Sequence, residues 1–500
     1  MPINAKPLIL WNADLTHQED DCACASVAVS PPVEMPLSTA WRKSDNLYSL
    51  SLSSEHKIFL SPRQNGLAIL NHSACDVLNA FSQHLSIKDA FSGLKVFAPQ
   101  AFITARQLAS LGLLKPVEQD CACVTEEDCG VVRPSGSPLT SWLHLTDRCN
   151  LRCDYCYLPH VREDMSPETG STAIYATFRS ALTHGFREVK LKYAGGEPLL
   201  CFPLIVELHR YAQELAEQCS LELDGVVLSN GTLLTESLVS SLQSLDLRLM
   251  ISLDGLGEFH NRHRRYASGR GSSADVVESI ELALAHGLTP NISITISPRT
   301  VDGLPEVVDW VLERDLPFSL NFYRENDFSA SHADMRLDEE QIINGMLAAY
   351  KVIEDNLPRH SLLPSLVDRA NLAAPHLRTC GVGENYLVFD ARGRVAKCQM
   401  RMADSIADVS TPDPLAVLRA DRAGIQNLPV EEKESCRDCQ WRYWCAGGCP
   451  LETYRVTGRY DVKSPHCNIY QSLFPEVLLL EGLRLLKYQD DPQVVQKITL

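Results

Sequence analysis

Three cysteines, Cys149, Cys153 and Cys156, stand in a C-x₃-C-x₂-C run directly behind the apolar segment 142–146. A cubane iron–sulfur cluster has four irons and normally takes four thiolates, so three on one loop leave one iron open as a coordination site. A zinc loop or three unrelated buried thiols are the other readings of such a run. Seven more cysteines fall near the C-terminal end. They are Cys380, Cys398, the run Cys436-x₂-Cys439-x₅-Cys445-x₃-Cys449, and Cys467. One or two structural zinc sites also suit a C-x₂-C spacing. Eighteen cysteines in a chain without a signal-peptide pattern read as metal-binding or catalytic rather than as disulfides. Five of them, Cys22, Cys24, Cys121, Cys123 and Cys129, lie among acids that raise thiol pKa values, and are expected to be non-catalytic. Cys75, Cys201 and Cys219 stand apart and are expected to be small buried hydrophobes.

Other motifs offer groups for a cationic or zwitterionic ligand. Gly195-Gly196-Glu197-Pro198 pairs two glycines that permit close backbone approach with a carboxylate that accepts from an ammonium group. Ser229-Asn230-Gly231-Thr232 and Ser252-Leu253-Asp254-Gly255 each follow a strand pattern. In the basic run 260–265, the fork of Arg264 suits a carboxylate, Arg262 and Arg265 read as solvated, and His260 and His263 as loop hydrogen-bonders.

The elements that must position these groups alternate. Strands are expected over 142–146, 189–193, 225–229, 248–252, 291–296 and 318–322. Between them, 203–217 places Leu204, Ile205, Leu208, Tyr211, Ala212 and Leu215 on one helical face, and 275–286 does the same with Val276, Val277, Ile280, Ala283 and Leu284. Repeated βα units imply an α/β fold with a parallel sheet and helices outside, and functional groups at the C-terminal strand ends. Before this core, 45–115 reads as a small α+β unit with strands over 47–52, 57–60 and 67–70. A helix capped by Ser73 and shorter helices around 87–91 and 101–111 follow. Residues 1–44 show no period, and 116–138 form a linker. Residues 331–375 bridge to the cysteine-rich region 376–470 through one helix near 339–354, and 471–500 is expected to be helical.

The cysteine loop with Tyr155 before its last member resembles the signature of the radical S-adenosylmethionine (SAM) enzymes. The fold this implies is a partial (β/α)₆ barrel over 139–330. The resemblance implies SAM on the open iron, cleaved to a 5′-deoxyadenosyl radical, with Tyr155, Gly195, Gly196, Glu197, Ser229, Asn230, Ser252, Asp254 and Arg264 around it. The C-terminal cysteines are similar to the SPASM domain, which holds two auxiliary cubanes. Cys436, Cys439, Cys445 and Cys467 would ligate one, and Cys380, Cys398 and Cys449 the other. Three [4Fe-4S] clusters follow in all. Where relatives carry an eighth cysteine this chain has Tyr386, so the second of these clusters either keeps an open iron or borrows a ligand. Where sulfatase maturases carry a basic aspartate after the cysteine matching Cys398, this chain has Gln399, which cannot take a proton. Asp404, Glu384 and Asp390 are the candidates to replace it. The order of elements in 45–115 resembles the winged-helix-like peptide-recognition domain typified by the small chaperone of pyrroloquinoline quinone biosynthesis, which binds a leader peptide as an added strand.

The formal net charge of −17 argues against nucleic-acid or anionic-membrane partners. No run of eighteen apolar residues occurs, and a cytoplasmic location is expected. The reading that follows is a radical SAM peptide maturase. It takes a ribosomally made precursor peptide, uses a flavodoxin- or ferredoxin-type electron donor, and leaves a crosslink or an oxidised side chain. The alternatives are a formylglycine-generating sulfatase maturase, a SPASM dehydrogenase of a small molecule, and a non-catalytic zinc-bearing peptide scaffold.

Overall fold

The computed structural model describes residues 6–12, 35–36, 39–62, 66–83, 85–117, 137–329 and 332–499. Cys22, Cys24, Cys121, Cys123 and Cys129 lie outside the described residues. The N-terminal part carries β1 (Leu8–Asn12), β2 (Ala40–Lys43), β3 (Tyr48–Ser51), β4 (His56–Ser61), β5 (Gly66–Asn71), α1 (His72–Ala80), β6 (Leu85–Ser86), α2 (Ile87–Phe91), α3 (Ala98–Ser110) and β7 (Leu114–Pro116). The central part alternates β8 (Leu139–His144), α4 (Pro167–Thr183), β9 (Glu188–Ala194), α5 (Phe202–Cys219), β10 (Glu222–Ser229), α6 (Glu236–Ser244) and β11 (Arg248–Ser252). It continues with α7 (Glu258–Asn261), α8 (Ser273–Ala285), β12 (Asn291–Ile296), α9 (Leu304–Glu313), β13 (Phe318–Phe322) and α10 (Glu339–Asp355). The remainder holds β14 (Tyr386–Phe389), β15 (Arg394–Ala396), β16 (Ala407–Asp408), α11 (Pro414–Ala420), α12 (Arg442–Cys445), α13 (Pro450–Thr457), α14 (Cys467–Lys487) and β17 (Val495–Thr499).

Strands β8 to β13 pair in parallel and in sequence order, the α/β arrangement that the alternation predicts. The cysteine-rich part is not a separate layer. Its β14 adds to β8 in parallel, with Tyr386 opposite Thr140, and β15 and β16 extend the same nine-stranded sheet.

Both chain ends differ from expectation. The segment read as irregular contains β1, which sits between β5 and β17 in a five-stranded sheet of order β17-β1-β5-β4-β3. Its apolar run Leu8 to Trp11 lacks alternation because both faces are covered: Ile9 and Leu10 are fully buried. The region read as a terminal helix ends that helix at Lys487 and closes with β17, antiparallel to β1. The cap of α1 is Asn71, whose side chain accepts from Ala74 N at 3.0 Å, and not Ser73.

Pleat alternation divides the N-terminal sheet between two cores. Ile9, Phe59, Ala68 and Leu70 pack with α1–α3. Leu10, Ile58, Leu60, Leu67 and Ile69 belong to the main core of the barrel and α14. A Cβ on Gly482 of α14 would stand 2.7 Å from Ile58 Cδ1, so the glycine lets this helix pack close to the sheet. A buried polar knot reinforces the joint. Glu481 accepts from Asn12 of β1 at 2.9 Å, from Ser361 at 2.8 Å and from Leu362 N at 3.1 Å, and pairs with Arg484 at 2.7 Å.

Candidate active site

The loop after β8 carries Cys149, Cys153 and Cys156, and the C-terminal ends of the other barrel strands hold it. Its backbone bonds to the basic run: Arg152 N donates to Arg265 O at 2.7 Å, and Ala267 N to Asn150 O at 3.0 Å. Asn230, after β10, donates to Asn150 Oδ1 at 2.9 Å and to Cys149 Sγ at 3.7 Å. Beyond β11, Asp254 accepts from Tyr155 Oη, from Arg264 Nε at 2.7 Å and from Thr295 N at 2.9 Å. Arg299, after β12, pairs with Asp154 at 2.6 Å, and Asn326, after β13, donates to Tyr155 O at 3.0 Å. Four strand ends therefore converge on eight residues.

The Gly195-Gly196 pair works against the chain itself. A Cβ on Gly195 would meet Thr146 O at 2.5 Å and one on Gly196 Arg148 O at 2.3 Å. Gly196 N and Glu197 N donate to those carbonyls at 2.6 and 2.8 Å. The glycines thus weld their loop to the entry of the cysteine loop. Glu197 is fully buried and accepts from Ser229 Oγ, Leu199 N and Asn230 N at 2.9, 3.0 and 2.7 Å. Burial pushes its carboxyl up to about 7, against the pull of those donors. A carboxylate has about four lone-pair positions, so one more donor can be received.

Arg264 is buried against Asp254, its guanidinium 5.4 Å from the Tyr155 ring. Burial alone would raise the Asp254 pKa, but Arg264 holds it below the ordinary value. His260 and His263 are buried hydrogen-bonders, to Ser272 at 3.0 Å and Ser297 at 2.7 Å. Ser252 lines the barrel lumen instead of touching the loop.

All thirteen described cysteines are free thiols, in three sets with three outliers. Burial pushes Cys149 up to about 11 and Cys153 to about 12, and Cys156 upward; Cys156 adds to the effect at Cys149, and Cys149 and Cys156 add to it at Cys153. Cys380, Cys398 and Cys449 share an apolar cluster with Tyr386 and Trp142. Cys436, Cys439 and Cys467 all act on Cys445, which burial raises to about 12. Among the described residues no three His, Cys, Asp or Glu side chains stand close enough to hold a single ion. Thiolates of a cubane bind different irons and stand further apart than ligands of one ion, and three sets of free thiols fit such clusters. The outliers differ from one another. Cys75 is buried, Cys219 half-buried, and Cys201 takes a 3.5 Å contact from Arg148 at the cysteine loop.

The two positions that depart from the family pattern meet. Tyr386 Oη donates to Gln399 Oε1 at 3.1 Å. Gln399 lines both a cavity of ≈ 700 Å³ in the barrel lumen and one of ≈ 300 Å³ above the cysteine loop. The candidate acids are otherwise engaged. Glu384 pairs with Arg378 at 3.0 Å and lines neither cavity. Asp390 accepts from Arg394 and from the backbone of Arg392 and Arg394, and the exposed Asp404 pairs with Arg401 at 2.8 Å. Sequence reasoning missed Asp368. It is 4 % exposed and lines the larger cavity, with one carboxylate oxygen on Arg324 and the other without a partner. No motif surrounds it, and only the folded bridge between α10 and β14 brings it to the lumen.

Residues 143–311 match the Radical SAM superfamily model, so the barrel is a radical SAM domain. An uncharacterized protein of Methanocaldococcus jannaschii is 29% identical over 171 residues, 34% of this chain and 57% of that protein. This chain thus spans little more than half of that relative. The serine-type anaerobic sulfatase-maturating enzyme of Klebsiella aerogenes is 22% identical over 349 residues, 66% of this chain and 82% of that enzyme. Among solved structures, anSMEcpe with bound AdoMet and the Cp18Cys peptide superposes with a TM-score of 0.57 at 19% identity, covering 71% of this chain and 99% of that one. The family implies SAM and a [4Fe-4S] cluster.

Proposed function

We propose that this chain is a peptide maturase that removes hydrogen from a side chain of a ribosomally made precursor peptide and leaves a crosslink or an oxidised side chain. The observation that carries the reading is the ≈ 700 Å³ lumen. It joins Ser252 at the SAM station to Asp368 and Gln399, and Ser293, Ser319 and Asn321 give it polar walls. When bound, SAM and the cluster held by Cys149, Cys153 and Cys156 supply an organic radical that abstracts hydrogen. The remaining steps fall to the chain. Asn230, Asp254 and Arg264 fix the loop, and Glu197 receives one further donor, matching the amino group of SAM. Asp368, with Gln399 unable to take a proton, accepts the proton lost from the peptide at its unpartnered oxygen. The two further thiol sets would hold auxiliary clusters, which would supply an acceptor for the electron left behind.

The precursor peptide is held by the N-terminal sheet. Its β3 is an end strand, and Tyr48 of β3 packs on Trp441 at 4.3 Å between centroids, beside the set of Cys436, Cys439, Cys445 and Cys467. An extended segment added there runs alongside the cluster region. Reconstituted, reduced enzyme given SAM and its precursor peptide should lower the peptide mass by two hydrogens. Asp368→Asn should keep 5′-deoxyadenosine formation and lose peptide conversion by about 10²-fold or more. An unchanged peptide mass, or conversion by Asp368→Asn at the wild-type rate, refutes the respective assignment. The name of the Klebsiella relative favours formylglycine formation as the second reading. A sulfatase-derived serine or cysteine peptide converted in the same assay would establish it.

A further inference from the structure

We infer that Lys433 is a shared counter-charge for the two auxiliary cluster sites, setting how readily each takes an electron. The inference rests on the proposed cluster assignment and adds a residue that the cysteine pattern does not contain.

Lys433 is 1 % exposed, yet among the described residues its ammonium has no carboxylate partner. It donates to one carbonyl, Ala446 O, at 2.7 Å. That carbonyl also accepts from Thr379 Oγ1 at 3.1 Å, and Thr379 reaches Gly448 O at 2.7 Å. The placement is specific. Ala446 follows Cys445 of one set, Thr379 precedes Cys380 of the other, and Gly448 precedes Cys449 of that other set. The ammonium therefore stands where the two thiol sets meet. Cys436 and Cys445 from one, and Cys380 and Cys449 from the other, all act on it electrostatically.

The local chain is shaped for it. Gly447 has φ of +79°, and a Cβ there would lie 2.5 Å from Lys433 Cδ and 2.9 Å from Nζ, so a side chain at 447 would expel the lysine. A buried cation without an ion pair is costly unless negative charge sits nearby. Two thiolate-bound clusters are that charge. Reduction adds one electron to a cluster and moves no proton. A fixed positive charge in a weakly screened interior favours the reduced form at both sites. The SAM-site cluster, on the separate loop after β8, serves as the internal control.

The test is a dye-mediated redox titration of the full reconstituted chain, read by electron paramagnetic resonance, with iron counted first. Lys433→Met should move both auxiliary midpoints to more negative values by at least tenfold in the one-electron equilibrium, about 59 mV. The SAM-site midpoint should stay, and Lys433→Arg should keep all three. Auxiliary midpoints unchanged in Lys433→Met, or a shift shared equally by the SAM site, overturns the inference. If neutral variants lose auxiliary iron while Lys433→Arg loads fully, charge is what the sites require and the inference stands. Loss of iron in the arginine variant as well would assign the residue to shape and overturn it. Wild-type protein with about four irons in place of about twelve overturns the auxiliary-cluster reading together with this one. Twelve irons with an unresponsive Lys433 overturns this one alone.

Discussion

Asp254→Asn tests how the cysteine loop is held. Asp254 is 1 % exposed and Arg264 9 %, and the pair at 2.7 Å joins β11 to the basic run that bonds to the loop backbone. Asparagine keeps the shape and an acceptor but leaves the guanidinium buried without its counter-charge. Breaking one side of a buried pair costs about 3–5 kcal/mol. At about 2–4 °C per kcal/mol for a unit of barrel size, the apo-barrel transition should fall by roughly 6–20 °C. Asp254→Asn/Arg264→Met, which removes both charges, should recover most of the loss. Acid gives a second signature. The folded carboxyl titrates below its ordinary 3.8, so its contribution is complete above that value and disappears only as pH falls through the folded value. The gap between wild type and variant in anaerobic thermal melts should therefore be flat from about pH 6 to 8 and close below about pH 4. A fall under about 2 °C, or a double variant as unstable as the sum of both singles, would refute the reasoning.

Gly196→Ala pushes a methyl group into Arg148 O, 2.3 Å away, so anaerobic reconstitution should lose about four irons while the C-terminal thiol sets load normally. Arg484→Met leaves Glu481 buried and unpaired, at a cost of about 3–5 kcal/mol. Hydrogen exchange should speed up first in β1 and β17, which the knot through Asn12 ties to α14. His209 bonds to Tyr193 Oη at 3.1 Å, and burial lowers its pKa from 6.5 to about 4. The unfolded chain takes up that proton first, so stability present above pH 6.5 is lost as pH falls toward 4. His209→Asn should lose about 3 kcal/mol less across that window in urea melts.

Legibility in the sequence followed locality. The strands 248–252, 291–296 and 318–322 are found at their expected limits, because buried parallel strands announce themselves as short apolar runs between helical periods. The grouping of the C-terminal thiols came from the resemblance to the SPASM domain. What escaped was set by distant chain. β1 and β17 are 483 residues apart at their first pairing, Asn12 with Val495, and no local turn signals such a ladder. The glycines of Gly195-Gly196 are required by backbone that lies 49 and 48 positions earlier, at Thr146 and Arg148. Glu384 and Asp404 read as free acids until Arg378 and Arg401 are seen beside them. Asp368 and Lys433 carry no motif, and burial without a full set of partners is the only mark that either bears.

The most direct measurement is iron content and SAM cleavage in Cys153→Ala. The account predicts a loss of about four irons from about twelve and no 5′-deoxyadenosine under dithionite. SAM cleavage by that variant at the wild-type rate would contradict it.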